Sequence, residues 1–313
     1  MNQENTTQSF DIIIIGGGPS GLSAAIYTSR DRLSTLLVEK SLIGGMITET
    51  DRIDNYPGFP ESISGTDLTT KMYEQARKYG MQDINAEVLS IDINNSQDFS
   101  VNTTDAVYTT KAIIICGGSD KQRLGIPGEK EFTGRGVSFC ATCDAPFYRD
   151  KTVAVVGGGN SAIYEAMHLA KFAKKVYIIH RRRQLRATTL VQEYAKSEPK
   201  IEFILNTVVN TIHGTNFVEK LSLKNAESGQ TFELELDGLF VSIGLNPNTH
   251  YLKNLLALDA NGMIIVDSAM QTSVPGIFAA GDIRQYSIRQ AIAAAGDGAI
   301  AAINVKKWME KSL

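Results

Sequence analysis

The chain has 313 residues, enough for two domains, with a hydrophobic fraction of 43% and a charged fraction of 21%, ordinary for a soluble globular protein. Its net charge of -3 offers no broad cationic surface for nucleic acid, and its longest apolar runs are strand-length, too short to span a bilayer. Residues 1 to 9 are polar, with no charged-then-apolar leader, so the expectation is a cytoplasmic protein with neither a membrane nor a nucleic-acid partner.

The first predicted element is a buried strand over Phe10-Asp11-Ile12-Ile13-Ile14-Ile15. The turn Gly16-Gly17-Gly18-Pro19-Ser20-Gly21 follows, then a small-residue helix from Leu22 and a second strand, Thr35 to Val38, ending at Glu39. In such a βαβ unit Gly16 makes the tight turn, Gly18 lets the backbone approach a pyrophosphate, and Gly21 permits close helix packing. A carboxylate at the position of Glu39 accepts hydrogen bonds from ribose hydroxyls. A lone G-x-G-x-x-G is weak evidence; strand, helix, second strand and acid in register make a dinucleotide-binding unit.

Cys116 closes a run of apolar residues, Ala112 to Ile115, and reads as a buried small residue at a strand end. The Gly/Pro loop from Arg123 to Gly128 is a candidate crossing point between domains. Next comes Cys140-Ala141-Thr142-Cys143, followed at once by Asp144. Three cysteines are too few for a disulfide scaffold, and a CxxC pair in a reducing compartment is redox-active or metal-binding. Tetrahedral zinc needs four ligands, whereas Cys116 stands alone and His168, His180, His213 and His250 lack ligand spacing, so no metal is expected. A dithiol passes two electrons, as do a flavin and a nicotinamide. Asp144 is either a proton relay, if burial raises its pKa, or an ordinary turn or N-cap residue.

A second dinucleotide pattern follows. Thr152 to Val156 is a strand, Gly157, Gly159 and Ala162 shape the turn, a helix runs on through Ala170, and Val176 to Ile179 is the next strand. It ends in His180-Arg181-Arg182-Arg183, with Arg186 shortly after, rather than in an acid. Guanidinium groups bind a 2′-phosphate bidentately where a carboxylate would repel it, which selects NADPH over NADH; the alternative is a solvated basic face. A second Gly/Pro loop, Gly244 to Asn248, is the other candidate crossing point. Thr272 to Asp282 is predicted as a short strand ending in Gly-Asp, whose aspartate can accept from a flavin's ribityl chain. The helix beyond is rich in small residues, Ala291, Ala293, Ala294, Ala295, Gly296 and Gly298, suited to close approach to a ring system or to plain tight packing.

Taken together, GGGPSG, Asp54-Asn55-Tyr56-Pro57-Gly58, Gly134-Arg135-Gly136-Val137-Ser138 leading into CATCD, GGGNSA, HRRRQLRA, and AAGD with Arg289-Gln290-Ala291 are highly specific. Over almost its whole length the chain resembles the low-molecular-weight, bacterial-type thioredoxin reductases. The resemblance implies an α/β fold of two Rossmann-like, three-layer ββα nucleotide-binding domains, the second inserted into the first. Residues 1–120 and 246–313 would form the FAD domain, and 121–245 the NADPH domain carrying the dithiol. FAD would bind at Gly16, Gly18, Gly21, Glu39, Asn55 and Asp282, with Arg289 and Gln290 near its ring. NADPH would bind at Gly157, Gly159, Ala162, Arg181, Arg182 and Arg186. Cys143 would face the flavin, Cys140 would attack the partner's disulfide, and Asp144 would manage thiol protons. The implied partner is thioredoxin or a thioredoxin-like protein, and the implied assembly a homodimer.

Dithiol and NADPH would share one domain and both would have to reach one flavin, so the small domain is expected to swing about the two loops. The chain departs from the family at Met46, where Gln is usual, and at Tyr164-Glu165, where two acids are often found. The stretch Arg284 to Ile288 is its own. Other readings are a ferredoxin-linked reductase, a flavin-dependent dithiol oxidase and a redox-sensing nucleotide-binding protein without turnover. Intact nucleotide motifs oppose the first, the arginines the second, and the complete CxxC-Asp the third. An alkyl hydroperoxide reductase would carry a further N-terminal dithiol domain, which is not expected here with the flavin strand beginning near residue 10.

Overall fold

The computed structural model describes residues 8–50, 52–94, 98–252 and 254–311. The expectation about a leader at residues 1 to 9 rests mostly on positions outside that range. The chain divides into two compact units, one ending at Asp120 and resuming at Asn246, the other running from Lys121 to Leu245.

The first unit opens with β1 (Gln8–Ile15), α1 (Pro19–Arg30), β2 (Thr35–Glu39), α2 (Gly65–Lys78), β3 (Gln82–Asn85), β4 (Val88–Ile93), β5 (Phe99–Thr103) and β6 (Val107–Ile115). Its sheet has the order β3-β2-β1-β6-β5-β4. β1 pairs in parallel with β2 and β6, while β4, β5 and the first half of β6 form an antiparallel meander. Strand periodicity of two explains the isoleucine run of β1. Ile12 and Ile14 enter the core shared with Leu22 and Ala24 of α1, whereas Ile13 and Ile15 enter the opposite core with Val88, Ile91 and Phe99. A strand buried on both faces has no polar alternation, as the sequence predicts.

β7 (Ser119–Lys121) ends the first pass. The second unit holds β8 (Val137–Ser138), α3 (Ala141–Asp144), β9 (Thr152–Val156), α4 (Asn160–Ala170), β10 (Lys175–Ile179), α5 (Thr189–Ser197), β11 (Ile201–Ile204), β12 (Thr207–Gly214), β13 (Val218–Asn225), β14 (Thr231–Glu235) and β15 (Gly238–Val241). A parallel sheet of order β11-β10-β9-β15-β8 is one layer, and the antiparallel β12-β13-β14 is another. Val153 and Val155 of β9 pack with Ile163 and Leu169 of α4, while Ala154 and Val156 pack with Val209, Leu221 and Leu223 of the antiparallel sheet. The central sheet is therefore sandwiched between helices and a second sheet, the three-layer ββα arrangement.

The chain returns through β16 (Leu245–Pro247), which pairs with β7, then β17 (Ile277–Ala279) and α6 (Ala291–Lys311). The strand predicted from Thr272 is confined to β17. Pro275 has no N–H to give a ladder, the Ile277 N–H turns back to the Val274 carbonyl, and Gly276 adopts φ +85, so the segment before Ile277 is a turn. β17 pairs with the second half of β6, Ile277 beside Ile113. The small residues of α6 pack against α1: Ala295, Ala301 and Ala302 share the Leu22 core, and a methyl on Gly298 would collide with the Ser20 carbonyl oxygen.

Candidate functional sites in the two units

In the first unit the turn after β1 is held by the Gly16 N–H donating to the Val38 carbonyl at 2.8 Å. Gly16 has φ +108, which L side chains rarely adopt, and a methyl there would strike the Cys116 carbonyl. A methyl on Gly21 would enter the Gly16 carbonyl oxygen, so the residue predicted to allow close packing is the one that does. Gly18 is different: the nearest atom to a methyl there is 4.0 Å away, which leaves a cradle before the first turn of α1. No side chain caps that helix and no acid occupies its first turn. The cradle therefore suits a pyrophosphate, which the N–H groups and the helix dipole favour.

Glu39 lies half-buried at the end of β2. Its Oε2 accepts from the Gly17 N–H at 2.7 Å and its Oε1 from the Ser41 N–H at 2.9 Å. A recess beside it is lined by Val38, Glu39, Ala86, Val88 and Gly117. It opens at the carboxyl ends of parallel strands, where the strand order reverses at β1, the position where α/β sheets take ligands. The Glu39 carboxylate at its rim is an acceptor placed to take hydrogen bonds from ribose hydroxyls.

The distant site residues meet through hydrogen bonds. Asn55 Nδ2 donates to Gln290 Oε1 at 3.0 Å across 235 positions of sequence. Asp282 Oδ1 accepts from Ser287 Oγ at 2.6 Å, its carbonyl accepts from Ser119 Oγ, and the Ser287 Oγ also accepts the Arg289 N–H at 3.2 Å. Arg289 is exposed and has φ +61. Ser119, which holds the Asp282 backbone, and Ser287, which orients its carboxylate, went unrecognised in the sequence, because neither role has a spacing signature. A further missed feature is Arg284, paired bidentately with Asp297 at 2.6 and 2.9 Å, side chains only 15% and 9% exposed. The Gly281 N–H donates to the same carboxylate at 3.1 Å, fixing the Gly-Asp turn to α6. Met46 lies exposed in a 3-10 turn, Gly45–Glu49.

In the second unit Cys140 and Cys143 form a disulfide, their Cα atoms 5.3 Å apart. Cys140 is the N-cap of α3, and the Cys143 N–H donates to its Sγ at 3.2 Å. A thiolate in that place would accept the same bond more strongly. Asp144, the last residue of α3, is half-buried, and that burial pushes its carboxyl above the usual carboxylate range, opposed by Ser138 and by the Lys121 charge. Ser138 Oγ donates to Asp144 Oδ2 at 2.6 Å and accepts the Cys140 N–H at 3.1 Å. Cys116, by contrast, is buried and free, its thiol pushed up to about 12 by burial.

The second turn repeats the first. Gly157 donates to the Ile179 carbonyl at 3.1 Å, and Ala162 is fully buried. A methyl on Gly159 would meet nothing within 4 Å, and α4 begins without a side-chain cap or a first-turn acid, so the space ahead of this helix is open as it is ahead of α1. The segment after β10 folds back on this turn: the N–H groups of Arg186 and Ala187 both donate to the Gly158 carbonyl, at 2.6 and 3.0 Å. That places Arg186 beside the turn, and Arg181, Arg182 and Arg186 are all exposed. His180 is buried with its Nε2 unpartnered, against Gly158; burial first, then the charges of Arg186, Arg182 and Arg181, hold its pKa below the usual value. It is the residue of this group that sequence reasoning passed over. Tyr164 on α4 is exposed.

Residues 10–298 match the pyridine nucleotide-disulphide oxidoreductase family. The chain is 43% identical to the thioredoxin reductase of Bacillus subtilis over 303 residues, 96% of this chain and 95% of that one. It is equally similar to the thioredoxin reductase of Peptoclostridium acidaminophilum, 43% over 307 residues, 96% and 97% of the two chains. Among solved structures, the thioredoxin reductase from Streptococcus pyogenes superimposes with a TM-score of 0.93 at 43% identity, covering 98% of this chain and all of that one. Among the described residues no helix is long and apolar enough to cross a membrane.

Proposed function

The chain belongs to the pyridine nucleotide-disulphide oxidoreductase family and, within it, to the thioredoxin reductases, and from that premise we propose that it is an NADPH-dependent flavoprotein that reduces the disulfide of thioredoxin or a thioredoxin-like protein, working as a cytoplasmic homodimer. The observation that carries this reading is the Cys140–Cys143 disulfide, backed by a half-buried acid, in the same unit as an arginine-flanked dinucleotide turn. The first unit takes FAD: Gly16 makes the turn, Gly21 packs the helix, and Gly18 receives the pyrophosphate at the start of α1, with Glu39 taking the ribose, Asp282 the ribityl chain, and Asn55, Arg289 and Gln290 the ring. The second takes NADPH: Gly157 makes the turn, Ala162 packs the helix, Gly159 receives the pyrophosphate, and Arg181, Arg182 and Arg186 the 2′-phosphate. When bound, the two cofactors supply hydride transfer from nicotinamide to flavin and an electron pair for the disulfide.

The remaining chemistry belongs to the chain. Reduction leaves two thiols. Cys140, whose Sγ already accepts the Cys143 N–H, is the thiolate that attacks the partner's disulfide, and Cys143 resolves the mixed disulfide. Asp144, whose carboxyl burial pushes above the usual range, holds and releases a thiol proton. Because dithiol and NADPH site lie in one unit, they use the flavin in turn.

Anaerobic stopped-flow mixing of the FAD-loaded protein with NADPH, then with NADH, tests this. Fast flavin bleaching by NADPH and much slower bleaching by NADH is expected. No bleaching by either nucleotide overturns the NADPH assignment and makes ferredoxin or a small dithiol the donor.

A further inference from the structure

Ser138 lies between the two groups whose protons matter. It is 6% exposed, on the two-residue strand β8 that pairs with β15, so its backbone is fixed from the sheet. Its one hydroxyl hydrogen goes to Asp144 Oδ2 and its oxygen takes the Cys140 N–H. An ionised Asp144 can only accept, so the direction of this chain is set: Cys140 N–H to Ser138, Ser138 O–H to the carboxylate. A protonated Asp144 is a weaker, uncharged acceptor, so the Ser138 bond that holds the ionised carboxyl loses strength when the acid takes a proton. The serine therefore responds to the protonation state of the acid and is tied to the backbone that carries the attacking cysteine.

We infer that Ser138 is a positioning residue for the dithiol chemistry, orienting the Asp144 carboxyl and coupling its protonation to the Cys140 backbone. The inference rests on the disulfide reductase reading above. The other groups facing Asp144 have separate parts. The Lys121 ammonium, from β7, favours the ionised carboxyl. Tyr148, in the 3-10 turn after α3, is pushed up to about 12 by burial first and then by the charges of Asp144 and Asp237, so it stays a neutral phenol across the working range. The thiols of Cys140 and Cys143, once reduced, complete the set. Ser138 bonds both the acid and the cysteine backbone.

Loss of the hydroxyl removes a hydrogen bond to a charged acceptor, one of the stronger kind, and moves the acid's ionisation upward by about one pH unit, roughly tenfold in its constant. Two measurements on Ser138→Ala test this. In the first, infrared titration of the isotope-edited Asp144 carboxyl in the oxidised protein, which needs no turnover, gives a midpoint about one unit higher than in the unsubstituted protein. In the second, the pH profile of kcat/KM for a thioredoxin disulfide moves the same way, kcat falls with KM little changed, and the rate of flavin bleaching by NADPH is unaltered. Should Ser138→Ala fold poorly, the isosteric pair Ser138→Thr and Ser138→Val replaces it: Thr titrates as the unsubstituted protein, Val with the raised midpoint. An unmoved infrared midpoint in a folded hydroxyl-free variant overturns the inference. An unsubstituted protein that reduces no thioredoxin disulfide overturns the functional reading instead, and the infrared titration still judges Ser138.

Discussion

At the scale of single residues, two carboxylates are shielded from water for opposite ends. Asp297 is met by Arg284 in a bidentate pair and by the Gly281 N–H, so each oxygen has a partner. Removing one member of a buried pair strands the other and costs about 3–5 kcal/mol. Arg284→Ala is expected to lower the midpoint of thermal unfolding accordingly, while Arg284→Lys, which lacks the fork, recovers only part. Asp144 is the reverse case, with a pKa raised by burial. A raised carboxyl pKa favours the protonated form in the fold, so the group contributes its stability at low pH and loses it as pH rises through the folded value. Asp144→Asn keeps an acceptor for Ser138 without the charge. Its midpoint of unfolding at pH 8 is expected at or above that of the unsubstituted protein. Its thioredoxin reduction should fall about 10²- to 10⁴-fold, the range of a lost acid–base group. A lower unfolding midpoint at pH 8 with full activity would count against the assignment.

At the scale of elements, most of the fold was legible. The two G-x-G-x-x-G/A turns follow strands and open helices as their spacing demands: Gly16 and Gly21 answer steric needs of the backbone, while Gly18 and Gly159 leave open space ahead of their helices. The segment around Thr272 was misjudged because its apolar residues read as a strand while Pro275 and Gly276 make a turn. Ser119 was illegible because its partner, the Asp282 carbonyl, lies 163 positions away; Ser138 and Ser287 bond acids only six and five positions away, but through loop and turn geometry that carries no sequence period. The arginine segment after β10 was legible in type, and the fold adds its anchoring, since Arg186 and Ala187 bond back to Gly158. Replacing Arg181, Arg182 and Arg186 together with Ala is expected to raise the KM for NADPH about 100-fold or more, from two or more lost charge-assisted contacts of about 1.5–3 kcal/mol each. The KM for NADH should hardly change. Equal losses for both nucleotides would show that the arginines serve the turn rather than the phosphate.

At the scale of the molecule, each unit has its own cores. The clusters around Ile12 and Ile13 belong to the first unit, and those around Val153 and Ala154 to the second. Two separately cored units are expected to melt as distinguishable calorimetric transitions rather than one. Ligands that bind one native unit stabilise that unit by mass action, by about 2.7 kcal/mol at a concentration 100 times Kd. NADPH should therefore raise the transition of the inserted unit and FAD that of the other; a single transition raised by both would mean that the cores are energetically fused.

The discontinuity of the first unit also bears on how the chain is made. β17 pairs with β6 and α6 packs on α1, yet both lie at the end of the chain. The inserted unit is contiguous and has all its strands once Leu245 has been synthesised. Translation proceeds from the amino terminus. The segment translated first is thus the last to be finished: the opening 120 residues leave the ribosome with one edge of β6 and one side of α1 uncovered. They wait through the making of a whole neighbouring unit, and a nascent-chain chaperone would find its ligand there.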